Sequence, residues 1–165
     1  MRDFDDLNKL LRYVEEQSAE VMENDVSHNV KQLQSQHVKT DVYDAYTGQD
    51  PYMDRRGYNG GLADTRNMIH TVTNTINGIE LFIKNVTGGN ESVYKTGATN
   101  PPDYLAGIIE NGRNNGRYMT NKTGTQNQYL NARPFISNTI EELQNTLQHI
   151  DWYKRGMKRR GIDLE

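Results

Sequence analysis

The side chains best suited to proton transfer or metal ligation near neutral pH are the four histidines, His28, His37, His70 and His149. Their spacing does not assemble a site. His28 and His37 stand nine positions apart, so a helix does not stack them at i, i+4, and no HExxH pair is present. Cysteine is absent, which removes thiolate metal sites, disulfides and cysteine nucleophiles. No GxSxG elbow occurs, nor any phosphate-binding glycine loop ending in Lys-Ser/Thr. The run Gly57-Tyr58-Asn59-Gly60-Gly61 is Gly-rich, but it does not lie between a strand and a helix and reads as a turn. Adjacent acids such as Glu141-Glu142 read as a solvated helix face. The triplets starting at Asn85, Asn90 and Asn121 match the glycosylation acceptor pattern, which means nothing without a secretory signal. The expectation is a protein that is not an enzyme and takes no metal and no cofactor.

One charge cluster stands out: Lys154, Arg155, Lys158, Arg159 and Arg160. Cations at a helix C-terminus meet its negative dipole end favourably. Five within seven residues exceed what capping needs, so an acidic protein surface or passing nucleic acid is the partner this pattern suits. The net charge of −3 argues against a dedicated nucleic-acid binder and favours capping plus a protein partner.

The elements that must position these residues can be read from periodicity. From Asp3 to Tyr43, Phe4, Leu7, Leu11, Val14, Ser18 and Val21 recur every three or four residues and predict one long helix with an apolar stripe. The stripe slips near Asn24-Asp25 and resumes at Val26, Val30, Leu33 and His37, which predicts a bend or a change of packing partner. Asp3 is the expected N-cap. Residues 44–67 carry turn chemistry and read as an ordered loop packed through Tyr46, Tyr52, Met53 and Tyr58. Residues 68–86 predict a β-hairpin, with Asn77-Gly78 as a primed turn between β-branched runs. Val72, Ile76, Ile79, Leu81 and Ile83 form its buried face, with Phe82 and Val86 on the other. A short helix is expected over 103–111. The last helix is expected over 134–158, started by Pro134 and striped by Ile136, Ile140, Leu143, Leu147, Ile150 and Met157.

The fold class is therefore α+β, in a single domain of 165 residues. Apolar residues make up 34% and mean hydropathy is −0.91, while charge is ordinary, which suits a small core with partner-covered elements better than disorder. Ten tyrosines and one tryptophan fit surface meant for another chain, although ten half-exposed tyrosines would account for them equally well. The opening Met1-Arg2-Asp3 leads into no apolar run, so no signal peptide is expected. No stretch approaches the ~20 apolar residues that span a bilayer, and a cytoplasmic site of synthesis follows.

Three segments together resemble a known family. Gly60-Gly61-Leu62-Ala63-Asp64 precedes the first strand, Tyr104 to Gly112 follows the hairpin with Glu110 before Gly112, and Ala132-Arg133-Pro134-Phe135 opens the last helix. This order resembles the neck, or tail-component, family of long-tailed bacteriophages, over about Asp3 to Lys158. Two departures are Leu105 inserted in the Tyr-Ala start, and a longer loop between Arg55 and Tyr58. The resemblance implies a structural virion protein at the head–tail junction, assembled in a bacterial host. It implies a ring of copies, six or twelve by the symmetry of tails, between a head-side connector or adaptor and the tail tube or tail terminator. DNA is then only passing cargo, and no membrane is involved. Gly61, Leu62, Tyr104, Glu110, Gly112, Ala132, Arg133, Pro134 and Phe135 become the structural and interface residues, with Glu110 the candidate partner of Arg133. The competing reading is a cytoplasmic nucleic-acid-associated or regulatory α+β protein that uses its basic helix end.

Overall fold

The structure, a computed structural model, describes residues 6–45, 61–87, 104–112 and 132–164. The protein is α+β. Its N-terminal helix runs from Leu7 to Asp44 in four joined stretches: α1 (Leu7–Val21), a π-helical turn (Met22–Val26), α2 (Ser27–His37) and a second π-helical stretch (Val38–Asp44). The cap is Asp6 rather than Asp3, its carboxylate accepting from the Asn8 amide at 3.0 Å. Asp3 itself lies outside the described residues. The expected slip at Asn24-Asp25 is the first π turn. A π turn takes one more residue than an α turn, so the buried stripe moves from Ser18 and Val21 to Val26 and Ser27.

The hairpin consists of β1 (Met68–Thr75) and β2 (Gly78–Asn85), entered through a 3₁₀ turn at Thr65–Asn67. Its turn differs from the expectation. Ile76 and Asn77 are the two connecting residues, and only Gly78 has positive φ, at 133°. The Thr75 hydroxyl closes the turn, accepting from the Asn77 amide and donating to the Gly78 carbonyl at 3.1 Å. Asn77 therefore has no need of the left-handed conformation that a type I′ turn demands. Ile76 is corrected with it, from the buried face to a fully exposed tip. The rest of the alternation holds, since Val72, Ile79, Leu81 and Ile83 are half-buried and Phe82 is exposed.

Then come α3 (Tyr104–Asn111), α4 (Phe135–Thr146) and α5 (Gln148–Arg159). The single helix expected over 134–158 is thus two, broken at Leu147, which takes φ 55°. The expected loop-packing residues Tyr46, Tyr52, Met53 and Tyr58, and the segments 88–103 and 113–131, lie outside the described residues.

The chain forms two compact units. The first comprises Met1–Gln32, His70–Ile83 and Glu142–Glu165, the second Leu33–Ile69 and Lys84–Glu141. The first unit is cored by Val21, Val26 and Met157, with Trp152 and Leu81 packed against them. The second is cored by Val38, Val42, Leu62, Ala106 and Phe135.

Candidate assembly surfaces

The residues of the Ala-Arg-Pro-Phe and Gly-Leu segments meet in the second unit. Phe135 is fully buried in the cluster that contains Leu62 and Ala106, so all three motif segments share one core. Hydrogen bonds tie the last two segments further. Glu110, near the end of α3, accepts from the Ile136 amide at 2.8 Å, the Ser137 amide at 3.0 Å and the Ser137 hydroxyl at 2.6 Å. A carboxylate from another helix thereby satisfies the orphan donors in the first turn of α4 and meets its positive dipole end. The expected Glu110–Arg133 pair does not carry this region. Arg133 donates from its guanidinium to the Val42 carbonyl at 3.0 Å, and its own amide donates to the Ile109 carbonyl at 2.8 Å. Both residues tie elements together, but each by its own contacts.

Ala132 and Pro134 are exposed on either side of Arg133. Pro134 stands at the mouth of α4, where its missing N–H costs nothing. Gly112 ends α3 at φ 67°, the left-handed position that favours glycine. Tyr104 opens α3. The Gly61 carbonyl accepts from the Asp64 amide at 3.0 Å and the Asn67 side chain at 3.1 Å. Leu62 is buried, and its carbonyl accepts from the buried Asn85 side chain at 2.9 Å. Asn85, first of the three glycosylation-pattern asparagines, is thus an internal structural residue. In the same unit Asp41 accepts from His37 Nδ1 at 2.9 Å, Asn138 at 2.9 Å and Thr40 at 2.9 Å. Burial pushes its carboxyl up, but these three hydrogen bonds outweigh it and hold the group below the usual carboxylate range.

The basic helix end belongs to the first unit. Arg159 and Arg160 both reach Asp25, at 2.5 and 2.9 Å, and Arg160 lies 3.6 Å from Glu20. The acidic surface that this end meets is in part the chain's own first π turn. Lys158 pairs with Asp163 at 3.4 Å, both side chains largely exposed, and Arg155 donates to the Asp151 carbonyl. Neither Asp25 nor Gly156 beside it stood out in the sequence, although the stripe's slip at Asn24-Asp25 and a lone glycine inside an amphipathic helix were the available signals. A second polar cluster holds β1 to the same helix. Lys31 Nζ lies 2.6 Å from His70 Nδ1, and His70 Nε2 lies 2.9 Å from Glu23. Burial lowers the Lys31 ammonium pKa, while the Glu23 charge opposes that.

The start of α1 is the largest uncovered part of the stripe. Leu7, Leu10 and Leu11 are 68%, 37% and 52% exposed, in the same register as Val14, Ser18 and Val21, which pack toward α5. Among the described residues no three His, Asp or Glu side chains are placed to hold a metal ion, and no helix is long and apolar enough to cross a membrane.

The fold and these contacts define an α+β protein built on a π-bulged N-terminal helix, with its motif segments locked together in one core. The chain belongs to the YomN family, whose profile matches residues 5–159. That family takes its name from a phage-derived protein, so the broader part of the resemblance, phage derivation, holds. No curated protein and no solved structure matches the chain.

Proposed function

We propose that this protein is a structural component of the phage head–tail junction, acting as a ring of identical copies between the capsid connector and the tail, without enzymatic activity. The observation that carries the reading is the uncovered apolar start of α1. Burying Leu7, Leu10 and Leu11 removes large aliphatic surface from water, at roughly 25 cal/mol per Å². A contact between this face and a different face of the next copy, repeated by rotation, buries it in every subunit and closes on itself. Membership of a family named for a phage-derived protein supports the setting. The competing nucleic-acid reading loses ground because Arg159 and Arg160 are partly neutralised by Asp25. A reconstruction of the assembled junction tests the proposal: several symmetry-related copies around the channel are expected. A single copy there, or α1 touching no neighbour, would falsify it.

A further inference from the structure

One residue, Leu147, separates α4 from α5, at φ 55° and ψ 17°. It is the one non-glycine residue with positive φ among those described. That conformation sets Cβ against the neighbouring carbonyl, and leucine has no polar side chain to offset it. The sequence at the break, Thr146-Leu147-Gln148, holds no Gly, Pro or Asn, and Leu and Gln favour helix. Leu147 offers no side-chain cap to α5, whose first amide, that of Gln148, has only a long bond to the Thr146 hydroxyl at 3.4 Å. The helical hydrogen bonding is intact up to the break, with the Leu147 amide donating to the Leu143 carbonyl at 3.0 Å. The bend is held by contacts further along: Gln148 Nε2 to Glu142 at 3.0 Å, the buried Met157, and the two arginines on Asp25. It leaves Leu147 and Ile150 exposed. In an unbroken helix Leu143, Leu147 and Ile150 would follow one another on a single ridge.

We infer that Leu147 is a hinge: one change of its backbone from left- to right-handed joins α4 and α5 into a single helix, Phe135 to Arg159, and the chain populates both forms. The local sequence favours the straight form and the contacts of α5 favour the bent one. The hinge does not depend on the ring proposed above.

The full chain lacks native cysteine, so spin labels at Gln144→Cys and Lys158→Cys, both exposed, report only on this region. A straight helix separates these positions by about 21 Å along its axis. The expected distance distribution has a shorter main component and a minor one at the straight-helix separation. Leu147→Gly, which removes the left-handed penalty, should raise Tm and cut the minor component about fivefold. Leu147→Ala, a strong helix former that keeps the penalty, should enlarge it. One unchanged distance in all three proteins overturns the inference, and so does a Leu147→Gly protein with lowered Tm.

Discussion

Gly156 shows how one side chain's absence sets a helix crossing. A Cβ there would stand 2.5 Å from Val21 Cγ1 and 3.0 Å from Asp25 Oδ2. Val21 is fully buried and stiff at χ1, so it cannot swing aside. Gly156→Ala should therefore destabilise the protein by about 1–3 kcal/mol in urea unfolding. Combining it with Val21→Ala should cost less than the two changes summed, because the second opens room for the first. Asp41 gives a pH-dependent counterpart. Its folded carboxyl titrates below the unfolded value of about 3.9, so its stabilisation is fully present above that pH. As pH falls through the folded value, that stabilisation is lost. Asp41→Asn should then be less stable than the wild type at pH 7, by about 1 kcal/mol, with the gap closing toward pH 3 in thermal melts. A gap constant with pH would mean that the charge on Asp41 contributes nothing.

At the scale of elements, the start of α4 depends on a residue from α3. Glu110→Ala leaves the Ile136 and Ser137 amides without their partner, and a loss of about 1–2 kcal/mol is expected, the size of a helix cap. Hydrogen exchange should show it first as faster opening of the first turn of α4. Such remote capping explains where sequence reading stopped. Local patterns disclosed the long helix, its slip, the two strands and the short helix, because each is written in its own periodicity. The slip could be seen but not its form, since a π turn and a bend shift a stripe alike. The hairpin turn was misplaced by one residue because Asn-Gly is a strong signal and Thr75's competing hydroxyl bonds are not a pattern. The break at Leu147 is invisible to periodicity altogether: the stripe runs through it, and what holds it is the Gln148–Glu142 hydrogen bond and the contacts of α5 with the N-terminal helix. In the candidate site, Phe135 and Leu62 were legible as structural residues, and the structure places both in the core. Glu110 and Arg133 were legible as important but not as to partner, because backbone carbonyls and amides of distant elements have no sequence signature.

At the scale of the whole molecule, one question is what the start of α1 is for. Leu7 and Leu11 lie one helical turn apart and are more than half exposed, so within a single chain they contribute little to folding. If they exist for a neighbour, their replacement should separate assembly from stability. Leu7→Gln with Leu11→Gln keeps helix propensity and is expected to change the unfolding free energy of the isolated chain by no more than about 0.5 kcal/mol. The same pair should abolish incorporation into the assembled junction, because two polar amides would be buried where the contact offers apolar surface. Val21→Ala is the opposite control: it empties a core position, lowers stability and leaves α1's outer face intact. Incorporation can be read as copies per particle by quantitative mass spectrometry of purified virions, beside the melting temperature of each free protein. Normal incorporation of the double glutamine variant would remove α1 from the interface. A variant that loses stability and incorporation together would show instead that these leucines serve the fold of their own subunit.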